Sequence, residues 1–331
     1  MKFNRYAVLG SNSFAGNSFI TRALADGADV IGFNRSSEKS SLFLPYKKIS
    51  STGNYQFNQL DINNHLDIII DRLQEFRPEV VVDFAGQGMV AESWQNPEQW
   101  YMTNFLTKVK MLESLRYSNW LHRYIKISTP EVYGSNNGLV KENFQYAPTT
   151  PYAISHSAID MNLFALHKQY AFPVIFTRFA NFYGPHQQLY RLIPRTIIYA
   201  LTGKILQLQG GGAATRGFIY GEDVADGIMR TINQGILGEI YHFSPERFFT
   251  IRQVVEIICY KLNIRFNDFT NFVPDRPGKD QAYLMDSTKA RMKLDWKESV
   301  SFENGIDSTI EWIKSSIDEI QSTPLEYVHK K

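Results

Sequence analysis

Short apolar runs recur along the first half of the chain, separated by stretches in which apolar positions return every three or four residues. The runs fall at 6–9, 29–33, 80–84, 124–127 and 174–179, and β-branched and aromatic side chains dominate them. Runs of this kind, without polar alternation, fit strands covered on both faces, as in a parallel sheet. Pro78 punctuates the entry to 80–84. The intervening stretches, 15–26, 64–76, 97–117 and 150–171, have helical periodicity, and in the last Ile154, Ala158, Met161, Leu163, Ala165 and Leu166 form one broad face. Strand and helix in alternation predict an α/β protein with a doubly wound parallel sheet.

After about residue 180 the texture changes. Gly-Pro, Gly-Gly-Gly and Arg-Pro-Gly break the chain into shorter elements, with helices expected near 190–202 and 250–262 and a helix at 222–233 returning to the first sheet. Gly210-Gly211-Gly212 reads as a tight turn ahead of Arg216, since no helix follows it.

Composition narrows the function. With 331 residues, 44% hydrophobic and 21% charged, the chain has the make-up of a globular enzyme. A net charge of +2, with acids and bases interspersed, gives no footprint for nucleic acid. Cys259 is the single cysteine, so neither an internal disulfide nor a thiolate metal cluster is available, and its setting reads as a helix core. His65, His122, His167, His186 and His242 are scattered without ligand spacing, so no metal is expected. Trp94, Trp100 and Trp120 read as packing anchors. No stretch is long and apolar enough for a membrane span and the N-terminal run is too short for a signal peptide, which makes the cytoplasm the expected compartment.

The first run leads into Gly10-Ser11-Asn12-Ser13-Phe14-Ala15-Gly16 and then a helix. A strand, a glycine-rich turn and a helix start bring N–H groups and the helix dipole to a pyrophosphate, the arrangement of a Rossmann-type dinucleotide site. Gly10 allows the tight turn and Gly16 close helix–strand packing; Ser13 stands where the usual spacing has its middle glycine. The second strand ends Asn34-Arg35-Ser36. An acid there binds the adenosine ribose 2′-hydroxyl and an arginine accommodates a 2′-phosphate, so NADP is favoured over NAD. Residues 1–180 and about 218–245 are thus read as the dinucleotide domain, and about 181–217 with 246–331 as a smaller α/β substrate region.

The run at 124–127 delivers Ser128-Thr129-Pro130-Glu131-Val132-Tyr133-Gly134, and Pro151-Tyr152-Ala153-Ile154-Ser155-His156 follows. Hydroxyl and carboxylate groups at the carboxyl end of a parallel strand face the ligand crevice and suit proton transfer. Tyr152 and His156 lie one helical turn apart.

These stretches resemble the extended short-chain dehydrogenases, and within them the nucleotide-sugar 4,6-dehydratases, the dTDP-glucose enzymes most closely. The likeness continues through Leu60-Asp61-Ile62, Asp83-Phe84-Ala85-Gly86, Thr103-Asn104, Arg178–Pro185, Arg216-Gly217-Phe218-Ile219-Tyr220 and Asp275-Arg276-Pro277-Gly278-Lys279-Asp280. It implies that Ser13, Phe14 and Ala15 cradle the pyrophosphate, Asp61 and Ile62 hold the adenine, and Ala85 lines the groove. It implies that Thr129 and Tyr152 meet the sugar C4 hydroxyl, Glu131 removes the C5 proton, and Asn181, Arg216 and Arg276 hold the nucleotide. His156 replaces the lysine that in the family bonds the nicotinamide ribose and lowers the tyrosine pKa, and Pro130 replaces an acid of the dTDP-glucose enzymes. The expected function is a 4,6-dehydratase acting on a nucleotide-linked sugar with NAD(P), as a homodimer. A 4-epimerase, decarboxylase or reductase, or a catalytically weak binding homologue, stays open.

Overall fold

A computed structural model of the protein describes residues 3–51, 53–136, 138–275 and 281–330. The first half lays down β1 (Arg5–Leu9), α1 (Phe14–Ala25), β2 (Asp29–Asn34), β3 (Tyr55–Gln59), α2 (Leu66–Phe76), β4 (Val80–Asp83), α3 (Pro97–Tyr101), α4 (Thr107–Leu115), β5 (Arg123–Ser128), α5 (Pro151–Tyr170) and β6 (Val174–Phe179). The second half continues with β7 (Asn181–Tyr183), α6 (Leu192–Leu201), β8 (Leu206–Gln209), β9 (Thr215–Arg216), β10 (Phe218–Tyr220), α7 (Gly221–Gln234) and β11 (Ile240–Phe243). It ends with β12 (Phe249–Thr250), α8 (Ile251–Leu262), α9 (Phe266–Phe269), β13 (Thr270–Val273), α10 (Thr288–Leu294), α11 (Phe302–Ser315) and α12 (Ile317–Gln321).

Seven strands form one sheet in the order β11-β6-β5-β4-β1-β2-β3, every neighbouring pair parallel. This is the Rossmann-type α/β sheet the hydrophobic pattern predicts. Phe19, Ile20 and Leu24 of α1 join Val224, Ile228 and Ile232 of α7 on one face. Ile69 and Leu73 of α2, Met111 and Leu112 of α4, and Ile159 and Leu163 of α5 cover the other. Strands β3 and β11 lie outside the five apolar runs. They are the sheet's edges, and β3, Tyr-Gln-Phe-Asn-Gln, is only half buried.

Two expectations need correcting. The stretch 97–117 is not one regular helix: between α3 and α4 the backbone widens into a π-type turn at Met102–Leu106. Trp94 is 53% exposed and anchors no core, whereas Trp100 and Trp120 are buried. In the second half Ile193 and Ile197 of α6, Val254 and Ile258 of α8, and Ile306 and Ile310 of α11 share a separate core, with Cys259 buried on the far side of α8. Three separate two-stranded sheets, β7/β10, β9/β12 and β8/β13, lie outside the main sheet.

Candidate active site

The strand order reverses between β1 and β4, and the crevice outside the carboxyl ends of those strands is where ligands bind in such sheets. The glycine loop fills that place. Gly10 has φ +78°, and a Cβ on it would lie 2.8 Å from the backbone of Phe84 and Ala85. A Cβ on Gly16 would lie 2.7 Å from Ser13 Oγ and 2.8 Å from Gly10 O. Ser13 is committed to the turn itself. Its N–H and hydroxyl both donate to Gly10 O, at 3.0 and 2.7 Å, and its Oγ caps α1 by accepting from Gly16 N–H at 3.1 Å. The cradle for a pyrophosphate is then the opening turn of α1 at Phe14 and Ala15, whose N–H groups have no intrahelical acceptor. The turn fits a dinucleotide, and two buried polar atoms without hydrogen-bond partners, Asn12 Oδ1 and His156 Nδ1, add to that fit.

Around this loop, Asn34 Nδ2 donates to Ser36 O at 3.3 Å, closing the β2 end into a small turn that presents Arg35 and Ser36. Asp61 follows β3; its carboxylate accepts from Asn63 N–H at 2.7 Å, while Ile62 packs on the core. Ala85 is fixed by its neighbours: its N–H donates to Asp83 at 3.1 Å and its carbonyl accepts from Lys108 at 2.6 Å. The π-type turn directs Asn104 inward. Its Oδ1 accepts from Gln87 N–H at 2.7 Å and its Nδ2 donates to Ser155 Oγ at 3.0 Å, tying the β4 loop to α5.

Thr129 and Glu131 leave β5 on a short 3-10 turn that Thr129 caps. Tyr152 and His156 sit in the first turns of α5, capped by Thr150, with ring centroids 4.7 Å apart. Burial, and then the Glu131 carboxylate, raise the Tyr152 pKa; a hydrogen bond from Thr129 and the charge of Arg191 oppose the rise. Burial, and then Lys126 and Lys108, hold His156 well below the usual histidine range, so it is neutral near pH 7.

Beneath this pair lies a buried charge network absent from the sequence-based expectations. Lys108 pairs with Asp83 at 2.6 Å and Arg178 with Asp160 at 3.1 Å, all four side chains having no exposure. Tyr124 donates to Asp83 and Ser128 to Asp160. Burial pushes Asp83 up, but Lys108 and Lys126 outweigh it and hold the carboxyl below its ordinary value. Lys126 lies between the two pairs on β5, its Nζ donating to Ile127 O at 2.7 Å, and burial with Lys108 pulls its pKa down to about 8.

The substrate side is assembled from loops. Gln281 O accepts from Thr215 N–H, Ala282 O from Asn136 N–H and Leu284 O from Val140 N–H, so residues 281–284 stitch β9 to the loop after Glu131. This brings in Tyr283. Its hydroxyl donates to Asn181 Oδ1 at 2.9 Å, the Arg216 guanidinium lies 4.0 Å over its ring, and burial pushes its pKa up to about 12. The Glu131 charge raises the pKa of both Tyr152 and Tyr283, so the three side chains lie within electrostatic reach of one another. Arg191 and Tyr283 come from the loops around 186–195 and 275–283, where the sequence reading expects pocket specificity to lie, though neither residue is singled out there; Lys126 is the group that sequence reasoning missed. Arg276 lies outside the described residues. Among the described residues no three His, Cys, Asp or Glu side chains gather to hold a metal, and no helix is long and apolar enough to cross a membrane.

Residues 8–309 match the GDP-mannose 4,6-dehydratase family. The chain belongs to that family. It is 30% identical to a dTDP-glucose 4,6-dehydratase of Neisseria gonorrhoeae, over 92% of this chain and 94% of that one. The dTDP-glucose 4,6-dehydratase DesIV of Streptomyces venezuelae, solved with NAD, superposes with a TM-score of 0.87 at 28% identity, covering 95% of this chain and 98% of its own. The UDP-glucose 4-epimerase of Thermotoga maritima, at 24% identity and TM-score 0.85 over 94% and 99%, shares the fold. Dehydratases and epimerases of nucleotide sugars are thus built on this scaffold, and the chain is an enzyme of that group.

Proposed function

We propose that the protein is a nucleotide-sugar 4,6-dehydratase: it oxidises C4, eliminates water across C5–C6 and returns the hydride to C6. The observation that carries this reading is the placement of Glu131 beside Tyr152 and Thr129, facing the Asn181–Tyr283–Arg216 cluster. A carboxylate is needed to remove the C5 proton; a bare C4 oxidation needs only the tyrosine and the hydroxyl. The nicotinamide supplies a hydride acceptor and donor. Phe14 and Ala15 hold its pyrophosphate, Asp61 and Ile62 the adenine, Ala85 lines the groove and His156 meets the ribose. Tyr152 takes the C4 hydroxyl proton with Thr129 bonded to its oxygen, and Glu131 takes the C5 proton. Asn181 and Arg216 hold the nucleotide diphosphate, for which a multidentate guanidinium is suited. Residues 181–217 and 246–331 form the sugar-binding part.

NADP is the preferred cofactor in this reading, because Asn34 carries no charge to repel a 2′-phosphate and Arg35 attracts one. The enzyme works as a homodimer in the cytoplasm. Exposed Met102, Leu106, Ile154 and Met161 on the paired α3–α4 and α5 helices supply an apolar seam for a second copy.

The test is incubation with a panel of nucleoside-diphosphate hexoses, reading the alkaline absorbance of a 4-keto-6-deoxy product, which an epimer lacks. Glu131→Gln should keep formation of reduced cofactor and lose C5 deuterium exchange from heavy water. Undiminished exchange would assign the base elsewhere, and epimer alone from wild type would overturn the dehydratase reading.

A further inference from the structure

Residues 325–330 follow α12 without regular structure, yet five of the six are held, Val328 being exposed. Leu325 packs on the second-half core. Glu326 accepts from the Tyr199 hydroxyl at 3.1 Å and pairs with Arg195 at 3.5 Å. The Tyr327 ring meets Tyr190 edge-on at 5.2 Å. The His329 ring lies flat on Trp100, 5.2 Å away and 9° from parallel, and its Nε2 bonds Gln99 Oε1 at 2.7 Å. Lys330 O accepts from Arg35 Nη1 and from Gln87 Nε2, both at 3.1 Å, and its ammonium donates to Ser36 Oγ at 2.9 Å.

Arg35 and Ser36 follow β2, and Gln87 follows β4. These are the two banks of the switch-point crevice, so one carbonyl bonded to both means that the segment crosses it. Fixing six residues of irregular chain opposes folding by roughly 1–2 kcal/mol each, so an undirected segment would not be held in this way. A cation cluster sits at the same place. Lys39 donates to Asn12 O at 3.2 Å and is held below its ordinary pKa by burial and then by the Lys330 charge. Lys39 and Lys330 repel one another, and a phosphate beside them would offset that repulsion.

We propose that residues 325–330 form a clasp over the adenosine half of the cofactor groove, with Lys330 joining Arg35 and Lys39 in a pocket for the ribose 2′-phosphate. The inference rests on the dinucleotide reading of the glycine loop. A clasp suits a reaction that regenerates its cofactor each turnover and so gains nothing from rapid exchange.

The experiment compares wild type, Lys330→Met, His329→Ala/Lys330→Met and a chain ending at Glu326, measuring NADPH and NADH release by stopped-flow displacement and affinity by titration. The shortened chain and the double variant should release both cofactors about tenfold faster or more, a loss of at least about 1.4 kcal/mol. Lys330→Met should weaken NADPH about tenfold and leave NADH nearly unchanged. Release unchanged in the shortened chain and the double variant would overturn the clasp. Tighter binding in the shortened chain would overturn it too, by showing that the segment competes with the cofactor. A wild type that prefers NADH would remove the 2′-phosphate assignment alone, while the release rates still decide the clasp. Failure of wild type to bind either cofactor would remove both it and the reading beneath it.

Discussion

The two sides of the crevice are built by different means. On the cofactor side, the expected residues follow the ends of parallel strands or open helices: Gly10 and Ala15 after β1, Arg35 after β2, Asp61 after β3, Ala85 after β4. Regular hydrogen bonding places them, and buried ion pairs brace the elements from below. On the substrate side Asn181, Arg216 and Tyr283 come from two- or three-residue strands and a returning segment, held by scattered loop hydrogen bonds and a cation–π contact rather than by the main sheet's ladder. The first side is expensive to alter because its positions are shared with the core. The second can change by altering a loop without disturbing the sheet.

The sharpest test of that contrast replaces one bracing group from each side. Asp160 accepts from Ser128 and pairs with Arg178, wholly out of water. Asp160→Asn leaves the guanidinium without its counter-charge, and breaking such a pair destabilises by about 3–5 kcal/mol. Tyr283→Phe removes one part-buried hydrogen bond to Asn181 and should lower stability by only about 1 kcal/mol, with its larger effect on KM for the sugar nucleotide. Urea denaturation and steady-state kinetics on both variants check this. Equal losses of stability would show that the two sides are braced alike.

The same contrast explains what could be read from sequence. The strands of the sheet interior were legible because burial on both faces removes polar alternation; β3 was not among the apolar runs because an edge strand keeps Gln56, Asn58 and Gln59. Thr129, Glu131 and Tyr152 were legible as candidates because hydroxyl and carboxylate side chains at strand and helix ends are few. Lys126 was hidden: in Arg-Tyr-Ile-Lys-Ile-Ser a lysine reads as solvent-facing, and only the packing of α4 and α5 shows that it is buried. Ser13 looked like a weakened glycine position and is an N-cap. Tyr283 and residues 325–330 reach the crevice through long-range returns that no local period encodes.

Lys126 bears on the missing family lysine. His156 already faces two ammonium groups, Lys126 and Lys108, and two carboxylates, Asp83 and Asp160, balance Lys108 and Arg178. Adding a third lysine should therefore harm the fold: His156→Lys alone is expected to lose about 2–4 kcal/mol, as for a poorly compensated buried charge. His156→Lys with Lys126→Gln keeps the number of buried cations and moves one toward Tyr152. It should recover that stability and raise the rate of C4 oxidation at pH 7–8 by about tenfold or more, since 1.4 kcal/mol is a factor of ten. Single-turnover formation of reduced cofactor measures the rate. A double variant slower than wild type would show that neutral His156 is the better partner for Tyr152.

The smallest effect is carried by the strand that joins the two sides. His242 lies on β11, fully buried, its Nδ1–H donating to Asp286 O at 3.2 Å and its Nε2 2.8 Å from the Tyr133 hydroxyl, which Arg178 also contacts. Burial, and then the Arg178 charge, keep its pKa well below the ordinary histidine value, and His156 is held down likewise. The folded chain therefore binds fewer protons than the unfolded chain once the pH drops below about 6.5. Stability is full above that value and falls as the pH falls, by up to about 1.4 kcal/mol per pH unit for each histidine. Glu142, which accepts from His242 N–H, and Asp223 have pKa values raised by burial and work in the opposite sense at lower pH, so the window to measure is pH 7.5 to 5.5. His242→Gln keeps a donor and an acceptor and removes the titration. Its urea-derived stability should fall with about half the wild-type slope across that window. An unchanged slope would mean that His242 takes up its proton without unfolding, and that the bond to Tyr133 gives way before the fold does.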